Sequence, residues 1–576
     1  MTLLPRLAAI LLLALASVSA QCPNIQDPCR CAPSIYEPVA IICENAGSLA
    51  RALQAIESAR DSPIDSLTIV DTAVSSIPAN AFQGFTIARL VLNRNTLSQI
   101  SENAFNGILL DSLVELDLTD NQLGQVPQTG ISQLRNLRKL YINRNRITQL
   151  PSNAFTNFAS RDILLKLELA GNRLTDSALS ETTVFRPLRS LQELSLETNT
   201  LSQIPSSALV VQRETLTNLN LGLNQINEVP VGALDFPILT SLSLEFNGIT
   251  VIIPQAFQGV PNLQYLYLTG NKFPSWQPEM FRYINQLRAL GIGETPISVI
   301  PSNAFVHTPN LIRLEMSEAA VDTIERGAFQ QTPLIQAIVL NKNRLSVVRT
   351  DYFESLNDLY SIDLQGNRLV TVEPYGFGNL PGLRHLDISY NQLQTMPNTS
   401  FTNSFEPIPN DRRVIFACAN PWLCDSRLEW FRILLRGNLD IDIDKADCVA
   451  ACMSSINGCP PVGTPLRAVD FCPISDNPLP LTGNAYSLAG WIILAIILII
   501  LLFSILLMAL IRYGMSHRRK KMKDQEVEDE QRIVSSAASV YHASVYGPGA
   551  PGYARSVVDL DLPAAHTLDD RPNFFM

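Results

Sequence analysis

Ten cysteines and five histidines are the side chains of this 576-residue sequence best suited to covalent or metal chemistry. The cysteines form two groups. Cys22, Cys29, Cys31 and Cys43 lie near the start, and Cys418, Cys424, Cys448, Cys452, Cys459 and Cys472 come much later. Even-numbered clusters at the two ends of one region are expected to close as disulfides in an oxidising compartment. Zinc binding is disfavoured, because no His-x-x-x-His pair accompanies them. Only His307 and His385 fall between the cysteine groups, too far apart in sequence to suggest a Ser–His–Asp arrangement. No Gly-x4-Gly-Lys-Ser/Thr phosphate loop occurs. The expectation is a chain that is not an enzyme and uses no metal or cofactor.

Charge narrows the partners. The sequence has 43 Lys and Arg against 53 Asp and Glu, a net charge of -10. That sign is wrong for gripping phosphate backbones, so no nucleic-acid partner is expected. With 46% apolar and 17% charged residues the chain is not disordered as a whole.

Two segments set the expected topology. Positions 1–20 read as a secretory signal: Arg6, an apolar run over 7–16, and Ala20 at the cleavage point. Positions 488–511 carry no charge. As a helix they would extend about 36 Å, enough to cross a bilayer. Arg512, Arg518, Arg519, Lys520, Lys521 and Lys523 follow, a cluster that belongs on the cytoplasmic side. These features predict a single-pass type I protein of the plasma membrane, with its large N-terminal part outside.

The residues between the cysteine groups are periodic. Leu-x-x-Leu-x-Leu-x-x-Asn-x-Leu appears as Leu113, Leu116, Leu118, Asn121 and Leu123. It returns as Leu137, Leu140, Ile142, Asn145 and Ile147, and as Leu191, Leu194, Leu196, Asn199 and Leu201. Asn95, Asn172, Asn224, Asn247, Asn271, Asn343, Asn367 and Asn391 mark further copies. Thr72, Thr295 and Ala319 fill the same slot in weaker ones, giving fourteen, with a cap-like fifteenth at Asn420. Leu-x-Leu predicts a short strand whose alternate residues point inward. The Asn is expected to satisfy backbone groups where the chain turns. Phe82, Phe105, Phe155, Phe257, Phe305, Phe329, Phe353, Phe377 and Phe401 supply a second inward anchor. One copy cannot bury its apolar side, but a stack can.

In these residues the sequence resembles the leucine-rich-repeat family, over about residues 21–472. The resemblance implies an α/β solenoid, curved, with parallel strands on its concave face and a disulfide cap at each end. The spacing Cys22-x6-Cys29-x-Cys31-x11-Cys43 is similar to the family's N-terminal cap, which implies Cys22–Cys31 and Cys29–Cys43 pairs. Residues 420–431 resemble the C-terminal cap, with one departure: Ser426 stands where a second cysteine of a Cys-x-Cys pair is expected. The connectivity of the six later cysteines therefore stays open. The N-terminal region is also similar to epithelial leucine-rich-repeat proteins of arthropods and nematodes. The resulting organisation is a signal peptide (1–20), an N-terminal cap (21–60), about fourteen repeats (61–411) and a C-terminal cap (412–472). A juxtamembrane stalk (473–487), the transmembrane helix (488–511) and a disordered cytoplasmic tail (512–576) complete it.

Repeat phase selects the residues of the concave face. Tyr265 and Tyr267 are two apart on one strand and both project outward. Phe246 ends the preceding strand, and Gly291 and Gly293 fall on the next. Together they suggest a shallow apolar depression with hydroxyl handles, the composition of a protein-ligand site. Arg89 and Arg94, then Glu115, Asp117 and Asp120, then Arg138, Lys139, Arg144 and Lys166 alternate in sign on the N-terminal repeats, a pattern that suits an oppositely charged partner. Asn398-Thr399-Ser400 is an N-glycosylation acceptor.

The tail offers Tyr541, Tyr546 and Tyr553 as phosphorylation candidates. Its end, Phe574-Phe575-Met576, matches the hydrophobic-x-hydrophobic terminus that some PDZ domains take by strand addition. The functional expectation is a membrane-embedded molecule that binds an extracellular or cell-surface protein for adhesion or matrix organisation. The alternative is an innate immune or developmental signalling receptor acting through an adaptor on the short tail.

Overall fold

The computed structural model describes residues 22–180, 183–408, 411–454 and 460–470. The signal peptide, Cys459, Cys472, the 488–511 segment, Tyr541, Tyr546, Tyr553 and the PDZ-like terminus lie outside the described residues. Among the described residues no helix is long and apolar enough to cross a membrane.

One sheet of eighteen strands runs the length of the solenoid. It begins with the antiparallel hairpin β1 (Cys29–Cys31) and β2 (Ala40–Glu44), followed by β3 (Pro63–Val70) and β4 (Thr86–Val91). Three-residue strands then come once per turn: β5 (Glu115–Asp117), β6 (Lys139–Tyr141), β7 (Lys166–Glu168), β8 (Glu193–Ser195), β9 (Asn218–Asn220) and β10 (Ser241–Ser243). The series continues with β11 (Tyr265–Tyr267), β12 (Ala289–Gly291), β13 (Arg313–Glu315), β14 (Ala337–Val339), β15 (Ser361–Asp363) and β16 (His385–Asp387). It closes with β17 (Arg413–Phe416) and β18 (Ile441–Asp442). From β2 onward each strand pairs in parallel with the next, in sequence order. The register aligns Leu116, Leu140, Leu167 and Leu194 in one buried row, and Leu242, Leu266, Leu290 and Leu314 continue it.

The asparagines tie each turn to the one before. Asn121 donates from Nδ2 to the Leu92 and Leu118 carbonyls at 2.9 and 3.0 Å, while its Oδ1 accepts from the Leu97 amide at 2.9 Å. Asn145, Asn199, Asn247, Asn343 and Asn420 repeat the arrangement. Buried backbone groups at a bend need partners, and this amide supplies a donor and an acceptor together. Thr72 substitutes a hydroxyl that accepts from the Ala46 amide, and Thr295 donates to the Ile292 carbonyl. Ala319 offers no polar side chain.

A spine of aromatic rings fills the convex side. Phe305, Phe329, Phe353, Phe377 and Phe401 stack in sequence with centroids 5.4 to 6.3 Å apart. Trp276 and Phe281 extend this run beyond Phe305, and Phe185 stacks on Phe155 in an earlier pair, contacts that the pattern alone does not reveal.

Each end is covered. At the N-terminal end Cys22 bonds to Cys31 and Cys29 to Cys43, and α1 (Leu49–Ala55), capped by the Ser48 hydroxyl, turns Ala52 and Ala55 inward. At the C-terminal end α2 (Glu429–Gly437) buries Phe431 and Leu435 beside Trp422. The Arg413 guanidinium, 1% exposed, is held by Asp440, Asn438 and the Phe405 carbonyl. Cys418 bonds to Cys448 and Cys424 to Cys452, so four of the six later cysteines are placed. Ser426 opens a short 3-10 turn that Asp425 caps by accepting from the Arg427 amide. Cys418, just after β17, takes Cys448 with no cysteine at position 426.

Candidate protein-binding face

Inward leucines leave the alternate residues of every strand pointing outward from the concave side. On the N-terminal strands most of these are charged, and they pair with one another. Arg89 contacts Glu115 at 2.8 Å and Glu37 at 3.2 Å. Lys166 lies 3.0 Å from both Glu168 and Glu193. Burial alone would lower the Lys166 ammonium, but these two carboxylates outweigh it and hold it above its usual range. Burial raises the Tyr141 hydroxyl, with Glu115 adding to the effect, and Lys166 sits over its ring at 5.6 Å. Along the strand-exit edge, Arg94 grips Asp71 and Arg144 grips Asp120. Most of the alternating charges thus pair with one another, and much of their capacity to select a partner is spent there.

The pattern changes over β9 to β12. The outward positions become Asn218 and Asn220, Ser241 and Ser243, Tyr265 and Tyr267, then Ala289 and Gly291, brought side by side by the register. None carries a charge. Tyr, Ser, Gly and Asn together characterise protein-binding surfaces, because tyrosine offers rigid area while the small residues supply adaptable hydrogen bonds. Burial raises the Tyr267 hydroxyl above its usual value, with Glu245 and Glu315 adding to it, so it remains a neutral donor.

Phe246 borders this window in a left-handed backbone conformation, φ 50°, and is 37% exposed. Leu223, one turn earlier, has φ 53° and is 45% exposed. Such a conformation favours Gly or Asn, so bulky apolar residues there are locally unfavourable. Gly291 and Gly293 are buried. The Tyr267 ring lies against Gly291, where an added Cβ would sit 3.2 Å from its Cδ1. At Gly293 a Cβ would collide with the Ser317 carbonyl oxygen. These glycines therefore admit a ring and a neighbouring backbone, and the depression expected over them is filled by Tyr267.

At the C-terminal end a residue from the cap enters the face. Lys445 reaches Asp387 at 2.6 Å and Gln365 at 2.9 Å, and sits over the rings of Phe416 and Tyr390. Burial raises the Asp363 carboxyl, Asp387 on the next strand adding to it. Burial lowers the His385 imidazole, which packs edge-on to Phe416. His307, on the opposite side of the repeats, contacts Glu279 at 3.2 Å. The histidines thus stand apart, each with structural partners. Among the described residues no group of three His, Cys, Asp or Glu side chains is arranged to hold a metal ion.

Comparison with known proteins bears on this geometry. The family described as Leucine rich repeat matches residues 111–174, 214–273, 285–345 and 333–393. The matched turns share the leucine-rich-repeat pattern. Rattus norvegicus Tsukushi is 28% identical over 252 residues, which take in 39% of this chain and 69% of Tsukushi. Homo sapiens podocan-like protein 1 is 30% identical over 244 residues, 42% of this chain and 40% of that protein. Gallus gallus lumican is 34% identical over 197 residues, 32% of this chain and 53% of lumican. The matched stretch thus spans about half the length of these last two relatives. Among solved structures, an LRR protein of Leptospira interrogans superposes with a TM-score of 0.53 at 23% identity, covering 66% of this chain and 90% of that one. The glycosylated Toll–Spatzle complex gives 0.50 at 18% identity, covering 73% and 62%. Both likenesses concern the fold alone.

Repeat phase places Phe246, Tyr265 and Tyr267 on one continuous face. It also offers Asn218, Asn220, Ser241, Ser243 and Leu223, which pattern reading passed over because no single one stands out. Lys445 had no such signal: it arrives from a cap loop outside the repeats. Asn398 is exposed in a turn of the last repeats.

Proposed function

We propose that this leucine-rich-repeat chain binds an extracellular or cell-surface protein through the uncharged window of β9 to β12, in adhesion or matrix organisation. The observation that carries the reading is the change in the concave face, from a ladder of internally paired charges to a Tyr, Ser and Asn surface bordered by exposed Leu223 and Phe246. Groups already paired add little to a complex, whereas rigid aromatic area that loses water adds much. Disulfide-closed caps suit an oxidising exterior. The apolar segment 488–511 would tether the chain to the membrane.

The test is capture of cell-surface and matrix proteins by the purified full chain, compared with a Tyr265→Ala/Tyr267→Ala variant. Loss of capture by the double variant, with Val231→Ser on another face unaffected, supports the window. Equal capture by all three chains would sink it. Removing residues 512–576 separates adhesion from signalling: adhesion survives the deletion, whereas a downstream response does not.

A further inference from the structure

An apolar pair stands in solvent on the N-terminal cap. Ile35 and Tyr36 are 93% and 89% exposed, the most exposed large apolar side chains among the described residues. They form the tip of the β1–β2 hairpin, between Ser34 and Glu37, where polar residues or glycine are usual. The hairpin is held firmly. Cys29–Cys43 joins its strands, Cys22–Cys31 braces β1, and Pro33 and Pro38 fix the backbone on either side of the tip. Few donors in the loop need water. The Ala32 amide donates to the Ala40 carbonyl, Ser34 to the Glu37 carbonyl, Glu37 to the Ser34 hydroxyl and Val39 to the Asp65 carboxylate. The prolines have no N–H, so only the Ile35 and Tyr36 amides lack a partner in the chain. Glu37 carries the one charge of residues 32–39 and is paired with Arg89 at 3.2 Å, while Arg30 on β1 faces Glu44 on β2 at 3.7 Å.

We propose that this tip docks on an uncharged lipid surface. Ile35 enters the boundary between headgroups and acyl chains, and the Tyr36 ring lies at headgroup level with its hydroxyl in water. Below the headgroups lipid offers no donors or acceptors, unlike a protein pocket, so a segment entering it must satisfy its own backbone. The loop's internal hydrogen bonds meet that demand at all but its two outermost amides. Tyrosine suits such a boundary, with an apolar body and one wet end. The cations on the hairpin and at its base are already paired, so nothing there selects acidic headgroups. Two side chains make a small, reversible contact that serves beside a larger one. The proposal does not depend on the window of β9 to β12: that face takes a protein, and the cap holds the N-terminal end of the solenoid to a bilayer.

Tryptophan fluorescence of the purified full chain with Tyr36→Trp, mixed with phosphatidylcholine vesicles, tests the contact at the residue itself. Subtracting the wild type removes the emission of Trp276, Trp422, Trp430 and Trp491, and with it any signal from insertion of the 488–511 segment. The added emission is expected to shift to the blue with vesicles and to be lost when their acyl chains are brominated. Adding Ile35→Ser to Tyr36→Trp should abolish both effects without changing the melting temperature, since the side chain is exposed. Emission that ignores the vesicles overturns the proposal, as does quenching that persists with Ile35→Ser. A blue shift that grows with protein concentration in the absence of lipid overturns it too, by assigning the tip to a second copy. Quenching only in vesicles that contain phosphatidylserine overturns the uncharged surface.

Discussion

The ring of Phe246 lies so close to Gly270 that any side chain at position 270 would collide with it. Gly270 itself has φ 74°, a conformation in which a Cβ is unfavourable. Gly270→Ala is therefore expected to cost about 1 kcal/mol from the backbone alone and to lift Phe246 off its support. Thermal melting and partner capture should both fall. Unchanged values would show that the ring is not braced there.

The asparagine ladder allows opposite changes at two positions. Asn121→Ala leaves the buried Leu97 amide without its acceptor and takes one of two donors from the Leu92 and Leu118 carbonyls, which keep Asn95 and Asn145, and should destabilise by about 1–3 kcal/mol. Ala319→Asn places the standard side chain where the repeat lacks it, with an expected gain of about 1 kcal/mol. Denaturant titration of both variants checks the pair; a loss at position 319 would mean that the turn has adapted to alanine.

Cys418–Cys448 closes a span of 30 residues in sequence. Loop-closure entropy assigns such a cross-link about 3–4 kcal/mol. Cys418→Ser/Cys448→Ser should accordingly lower the melting temperature and expose the C-terminal cap to proteolysis before the central repeats. Protection of the cap in that variant would contradict its dependence on the bond.

Asp363 gives a pH test with a definite sign. Burial first, and Asp387 beside it, raise its carboxyl pKa in the folded chain. A group raised on folding contributes stability that is complete below the unfolded value near 4 and lost as pH rises through the folded value. At neutral pH its charge is thus a cost, although Lys445 and His385 lie nearby and the Gln365 amide and Asn341 donate to it. Asp363→Asn should melt higher than the wild type at pH 7, with the gain shrinking as pH approaches 4. A constant difference across that range would exclude ionisation as its origin.

The architecture was legible because a single rule repeats. Leu116 and Leu140 are inward, paired and buried wherever the same letter recurs, so period alone carries strand, register and core. The face was legible only in part. Tyr265 and Tyr267 follow from phase, but Gly291 read as empty space, because the lean of the Tyr267 ring across to the next strand is a choice of side-chain torsion that no spacing encodes. Lys445 escaped for a different reason: its partners Gln365 and Asp387 belong to the repeats while its own loop does not. Cys418 taking Cys448 likewise depends on where β17 ends.

Parallel pairing of each strand with the next, from β2 onward, has a consequence for how such a chain changes over generations. Core and ladder residues occupy fixed places in each turn, and the outward places touch neither. A duplicated or deleted repeat would shift the aromatic window by about 4.8 Å relative to one cap while leaving every residue of the window intact. Reach and recognition are thereby separate variables: one is set by how many turns the chain makes, the other by a few letters that those turns display.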